Sequence, residues 1–344
     1  MINRDLSRRD LLKKMGQGAV MLPILGSLGG CLHSREASCQ AGKPKLLRFG
    51  VCADVHMGVI HDAEFRMKTF VDRMNTEQVD FVIQLGDFNY RYRGNKPELA
   101  AEHENFQATW NQFQGPRYHV LGNHDSDGFT WEQTMAFWGM KKRYYSFDRG
   151  GYHFIVLDGN EERENRPPGY PRYIGPEQVR WLKKDLVETE YQTFIFSHQS
   201  LENKEGVENR AEIRGILEEV NQQSGFQKVV ASFSGHHHID YHIVINGIHY
   251  VQINSMSYQW LGGDYIYKRF SDEVEEANPW VRYTAPYKDP LYAIVTLEPQ
   301  GILKIEGIRS EYIPPTPAEL GYPEGEEGNK ASPVISDRVV KFKA

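Results

Sequence analysis

The feature that most constrains this chain is a repeated ending. Five apolar runs of strand length each break off into a loop opening on Asp, Asn or His. LLRFGVCA (46–53) precedes Asp54 and His56, and DFVIQL (80–85) precedes Gly86-Asp87. RYHVL (117–121) precedes Gly122, Asn123, His124 and Asp125, and YQTFIF (191–196) precedes Ser197-His198. KVVASFS (228–234) precedes Gly235 and the triplet His236, His237, His238. Segments of helical spacing lie between and beside these runs. Residues 61–77 put Phe65, Phe70, Val71 and Met74 near one face, and 104–113 do so with Phe106, Trp110 and Phe113. Residues 175–189 place Pro at a helix start with Val179, Leu182 and Leu186 on one side, and 209–225 close on Gly225. With a further strand at YHFIVLDG (152–159), the alternation predicts a layered α/β domain, in which function gathers beyond the carboxyl ends of strands. From about Gly247 the pattern changes to strands without long helices (IHYVQI, LYAIVTLE, ILKIEGI), predicting a second sheet packed on the first. After Ile313 the chain is rich in Pro, Glu and Lys, so residues 314–344 are expected to form a polar, loosely ordered tail.

Gly, Asn and Asp are what turns prefer, so any one of these loops is explained as a turn. Repetition with histidine is not. Carboxylates, imidazoles and one amide oxygen, with no thiolate, suit Mn, Fe or Zn better than a structural zinc knot. There are more ligands than one ion uses. Asp87, in the middle of the set, can bridge two, and two ions roughly 3.5–4 Å apart can clamp the attacking and leaving oxygens of a phosphoryl displacement. Alternate residues of an extended segment point the same way, which pairs Asp54 with His56 and His236 with His238.

Taken in order, D-x-H, G-D, G-N-H-D, H and G-H-x-H resemble the calcineurin-like metallophosphoesterase superfamily, over about Leu46 to Tyr250. The segment EQVRWLKKDL is similar to a recurring piece of that family. The resemblance implies an α/β/β/α sandwich of two mixed sheets flanked by helices, occupying residues 46–313, and a metal-dependent phosphoric ester hydrolase. It implies two divalent or mixed-valence ions (Mn, Fe or Zn). Asp54, His56 and His238 would hold one, Asn123, His198 and His236 the other, with Asp87 shared. A hydroxide on the metals would attack phosphorus directly, without a phospho-enzyme. His124 is then left free of metal to protonate the leaving alkoxide or steady the developing charge, with Asp125 orienting its ring. His237 is the non-ligand of its triplet.

D-V-H with G-N-H-D resembles the diesterase-like branches more than the purple acid phosphatases, so a phosphodiester is favoured over a phosphomonoester. G-D-F-N-Y also resembles the G-D-x-x-Y of the purple acid phosphatases, whose tyrosine binds ferric iron. That group lacks the first-motif histidine, so Tyr90 is the alternative to His56 at one position and His56 is preferred. Arg91 and Arg93 are candidate phosphate contacts, against the plain alternative of a solvated loop. NSMSYQWLGGDY (254–265), with Tyr258 as its candidate substrate contact, reads as a lid or base-stacking wall, or as packing within the C-terminal strands. A rival of another class is a lipoprotein that binds metal or phosphate without chemistry. Retention of His124 and Asp125 beside a full ligand set speaks against it.

The 344 residues carry a formal net charge of -6, and no basic stripe is apparent. That argues against duplex nucleic acid as a partner and leaves a small phosphorylated substrate. Of three cysteines, Cys52 lies in an apolar run and reads as core, and no CxxC pair is present. Arg8-Arg9 and Leu11-Leu12-Lys13 precede a moderately apolar stretch, Met15 to Leu28, too short to span a bilayer comfortably. This resembles a Tat export signal over residues 1–30, and LGGC, ending at Cys31, resembles a lipoprotein cleavage box. The Tat machinery as partner, a linker over 31–45, an exported, periplasmic or cell-envelope location and a lipid on Cys31 are the corresponding expectations.

Overall fold

A computed structural model describes residues 43–89, 96–323 and 331–343. The first sheet has six strands in the order β14 (Arg338–Lys341), β13 (Ile302–Glu306), β12 (Ala293–Glu298), β1 (Leu47–Cys52), β2 (Phe81–Gln84), β3 (Arg117–His119). β1, β2 and β3 run parallel, and β12 joins β1 antiparallel with Phe49 opposite Val295. The second sheet is β4 (Tyr145–Arg149), β5 (Tyr152–Val156), β6 (Gln192–Ser197), β7 (Val229–Ser234), β9 (Ile248–Gln252), β8 (Tyr241–Ile245). Its middle strands are parallel and its two edge strands antiparallel. A separate ribbon pairs β10 (Tyr258–Trp260) with β11 (Thr284–Pro286).

The period-2 alternation of the strands builds three apolar layers. Phe49, Phe81, Phe154, Phe196 and Phe233 meet in the core that joins the strands of both sheets, with Phe49 stacked on Phe81 at 4.8 Å and edge-on to the other three. Each buried phenyl ring contributes about 1.5–3 kcal/mol through removal from water. On the other face of the first sheet lie α1 (Ala63–Glu77) and α2 (Lys96–Trp110), through Met67, Phe70, Met74, Phe106 and Trp110. On the other face of the second lie α4 (Pro176–Glu188) and α5 (Arg210–Ser224), through Val179, Leu182, Leu186, Ile213 and Leu217. Two shorter helices, α3 (Trp131–Trp138) and α6 (Asp272–Ala277), sit in the loops. This is the α/β/β/α sandwich of mixed sheets expected from the sequence. Among the described residues no helix is long and apolar enough to cross a membrane.

Three expectations are corrected. Of the late strands only IHYVQI (β9) joins the second sheet: β12 and β13 extend the first, because β12 finds a partner in the free edge of β1, while the rest of the second sheet comes from the middle of the chain. The end of the supposed loose tail is ordered. β14 pairs with β13, and Ile335, Val340 and Phe342 enter the inter-sheet core, a strand of four residues being enough once a sheet edge offers its hydrogen bonds. Phe65 is 63% exposed, and the inward slot beside it belongs to Arg66, 1% exposed. Arg66 spans from Asp62 (2.7 Å) to the carbonyl of Tyr287 (2.6 Å), an ion pair and a charge-assisted bond that make its burial tolerable.

Candidate active site

The carboxyl ends of β1, β2 and β3 in one sheet and of β6 and β7 in the other open onto one cleft of about 490 Å³. The loops are knit by main-chain bonds: Asp54 N–H donates to Gly86 O (3.0 Å), His56 N–H to Asp87 O (3.0 Å) and Gly235 N–H to His198 O (3.1 Å). Gly122 passes so close to Asp87 that a Cβ would overlap its main-chain nitrogen and carboxylate, and Gly86, at φ +99°, leaves no space beside His198. Of the eight described non-glycine residues with positive φ, five are Asp54, His56, Asp87, His236 and His238. Such backbone costs on the order of 1–3 kcal/mol per residue and persists where the surroundings impose it, commonly at functional sites.

Two groups of ligand atoms result: Asp54, His56 and His238, and Asp87, His198 and His236, each within 4.8 Å of one another. His236 and His238 therefore serve different groups. The pairing by extended alternation fails for them because their backbone is left-handed. Asn123 Oδ1 adds to the second group, 3.1 Å from His198 Nε2. Asp87 Oδ2 lies 3.1 Å from His198 Nε2 and 3.8 Å from His56 Nε2, between the two groups.

The donor chemistry fits cations. His198 Nδ1 donates to Leu85 O (2.8 Å) and His238 Nδ1 to Tyr258 O (3.0 Å), which turns Nε2 of each ring inward. There His238 Nε2 is 3.2 Å from His56 Nε2, and His198 Nε2 is 3.2 Å from His236 Nδ1. Imidazole nitrogens and carboxylates converging at such distances make a donor set suited to cations. Burial pushes His56 and His236 below the ordinary 6.5, leaving them neutral. Burial also pushes His198 down, but the Asp87 carboxylate more than offsets this and holds it up at about 9. Burial raises Asp87, yet the imidazoles around it, His198 foremost, hold it well below the usual carboxylate range.

His124 stands outside both groups at the cleft surface, its main-chain N–H bound to Asp87 Oδ1 (2.8 Å). Its partner is not the expected one. Asp125 turns beneath the loops and accepts four main-chain N–H groups: Gly122 (2.7 Å), Asp87 (3.0 Å), Phe88 (2.9 Å) and Asn89 (3.0 Å). Burial, foremost, and the nearby Asp87 push its carboxyl well up, and the main-chain donors pull the other way without cancelling the rise. The residue that orients His124 is Asp127, whose Oδ2 lies 2.7 Å from Nδ1. Tyr170 donates to the other oxygen of Asp127 (2.9 Å) and packs edge-on against His124 at 4.6 Å. Residues 123–126 form a 3₁₀ turn, which sets positions three apart on one side, so His124 meets Asp127 rather than its neighbour. That i, i+3 spacing was the sequence signal for Asp127. Tyr170 carried none.

Tyr258 lies in the cleft wall, its ring 5.2 Å from that of His56 and 5.0 Å from that of His238. His237 is in neither group and meets Ser200 Oγ at 3.0 Å. Tyr90, Arg91, Arg93 and Cys31 lie outside the described residues.

A two-sheet sandwich carrying two nitrogen- and oxygen-rich ligand groups around a common carboxylate defines a dinuclear metallohydrolase. The profile of the calcineurin-like phosphoesterases matches residues 47–240, more than half of the chain, and the chain belongs to that family. It is accordingly a metal-dependent hydrolase. Over 270 residues it is 24% identical to a manganese-dependent ADP-ribose/CDP-alcohol diphosphatase of Arabidopsis thaliana, covering 61% of this chain and 86% of that protein. A dimetal phosphatase from Danio rerio superposes with a TM-score of 0.59 at 16% identity, over 78% of this chain and 99% of that one. GAP50, the anchor in the inner membrane complex of Plasmodium, superposes with a TM-score of 0.54 at 15% identity, over 87% and 90%. At such identities the two solved structures speak for the fold alone.

Proposed function

We propose that this chain is an exported dinuclear phosphoesterase that cleaves phosphodiester or diphosphate linkages. The observation that carries the chemistry is Asp87, placed between two complete ligand groups and beside an imidazole that joins neither. Asp54, His56 and His238 would hold one ion and Asn123, His198 and His236 the other, with manganese, iron or zinc suited to such donors. When bound, a pair of divalent ions polarises a phosphoryl oxygen and acidifies a water. The chain's own residues do the rest. Asp127 fixes the ring of His124 with Nδ1 as donor, so Nε2 is the atom that hands a proton to the leaving alkoxide. Tyr170 holds Asp127 in turn.

Preference for two-sided substrates is supported by room on both sides of that imidazole. One hollow is the main cleft, with Tyr258, Trp260 and Tyr322. The other, of about 410 Å³, adjoins at Asn123 and is lined by Ser126, Trp131, Arg166 and Tyr170. A phosphomonoester leaves one of them unused. The activity named for the Arabidopsis relative, on a diphosphate linkage, supports the same reading.

The test compares bis- and mono-nitrophenyl phosphate with metal-replete protein. Faster turnover of the diester is expected. Preference for the monoester would remove the diester assignment, and hydrolysis of neither would remove the enzyme. Export is supported by Arg8-Arg9, the apolar stretch and Cys31. Replacing Arg8 and Arg9 by Lys should trap the protein in the cytoplasm, and incorporation of a lipid precursor should vanish in Cys31→Ser.

A further inference from the structure

The wall of the cleft carries information that the ligand groups do not. β10 belongs to neither sheet, yet its root is tied to the metal site. Ser257 Oγ donates to Val55 O (2.8 Å), Tyr258 O accepts from His238, and the Tyr258 ring packs on His56 and His238. Trp260 follows two residues later, so it shares the face of the strand that Tyr258 presents to the cleft, displaced by ~7 Å along it.

The indole is 37% exposed and is backed by other rings. Tyr283 lies near-parallel to it at 5.9 Å and 7°, and Trp280 touches both, at 6.5 Å and 5.3 Å. A pile of three aromatics fixes the plane of the outermost ring in advance of any ligand. Gln259, between Tyr258 and Trp260, is largely buried, its amide nitrogen donating to Trp260 O (3.4 Å). Beyond the histidines and Asp87, the lining here is Tyr258, Gln259, Trp260 and Tyr322, without Lys or Arg. This end of the cleft suits a flat, uncharged group better than a second phosphate.

We infer that Trp260 is the stacking platform for the nucleobase of a nucleoside 5′-phosphoryl substrate whose phosphorus lies over the ligands of Asp87. The inference rests on the phosphoesterase reading for the position of that phosphorus and adds the substrate class. The test measures binding of AMP, ribose 5-phosphate and phosphocholine to the metal-loaded protein by calorimetry, with circular dichroism confirming that each variant is folded. AMP should bind about tenfold or more tightly than ribose 5-phosphate, the usual worth of one base on an aromatic ring. Trp260→Ala should erase most of that difference, and Trp260→Phe should keep part of it. Equal binding of AMP and ribose 5-phosphate, no measurable AMP binding, discrimination that survives Trp260→Ala, or tighter phosphocholine, as a cation over indole would give, would each overturn the platform. The two readings fail separately. Base discrimination without any hydrolysis contradicts the phosphoesterase and leaves the platform standing, and hydrolysis of bis-nitrophenyl phosphate without base discrimination does the reverse.

Discussion

The floor of the cleft and its aromatic wall lie side by side but are held by different means. On the floor, seven ligand side chains come from five strand-end loops, and all but His236 are buried. Five of them occupy left-handed backbone, and main-chain bonds between loops fix their places. On the wall, Trp260 rides a two-stranded ribbon outside both sheets and is fixed by ring-on-ring packing, with much of its surface left to solvent. A floor fixed through its backbone allows one reaction class. A wall fixed through side chains can change what is bound without touching the chemistry beneath. Substitutions on the floor should therefore abolish activity or stability, and those farther out should only modulate them.

The largest effect is expected at Asp87. Asp87→Asn removes the charge common to both ligand groups, and kcat/KM should fall on the order of 10³-fold while the melting transition persists. A variant with wild-type turnover of nitrophenyl phosphates would break the distinction at its root. Next is Asp125, which acts on the floor without touching a metal group. Asp125→Ala strands four buried N–H donors, and at about 1 kcal/mol or more for each it should cost several kcal/mol, lowering the thermal midpoint by roughly 10 °C. A midpoint close to wild type would show that those loops do not depend on this carboxylate.

Asp127 sharpens the comparison at the border of floor and wall. Asp127→Ala should keep the metals and slow alkyl esters by about 10–100-fold, with a smaller effect on nitrophenyl esters, whose leaving groups need no proton. Uniform slowing would mean that His124 is not the acid it positions. The smallest effect lies far from the cleft, at His153 on β5, which bonds Asp148 (2.6 Å) and Asp185 (2.9 Å). Burial pushes this imidazole down, but the two carboxylates more than offset it and raise its pKa above the ordinary 6.5. Its contribution to stability is thus full below pH 6.5 and fades as pH rises through the raised value. The gap in melting temperature between wild type and His153→Gln should narrow from pH 6 to pH 9, with turnover at fixed pH little changed. A gap that widens with pH would reverse the assignment.

The same contrast explains what could be read from the sequence. The ligands were legible because strand ends impose an order on the chain, and Asp54, His56, Asp87, Asn123, His198, His236 and His238 recur in that order. Their division between two groups came from family resemblance. Extended alternation alone would have put His236 with His238, since left-handed backbone leaves no mark on composition. Asp125 and Asp127 are the same residue type two positions apart, and only the 3₁₀ turn decides which one faces His124. β14 was hidden by its length and by the charged residues around Val339 and Val340, although a waiting sheet edge suffices to order it. Arg66 was hidden because a cation in a core slot is tolerable only where carbonyls from distant loops meet it, and Tyr287 lies 221 residues away.

The central claim is that two cations share Asp87, and elemental analysis of the purified full-length protein beside its Asp87→Asn variant addresses it most directly. About two transition-metal ions per chain are predicted in the wild type, with both depleted in the variant because both groups lose a common ligand. One ion per chain at full activity, or two ions retained after Asp87→Asn, would contradict it.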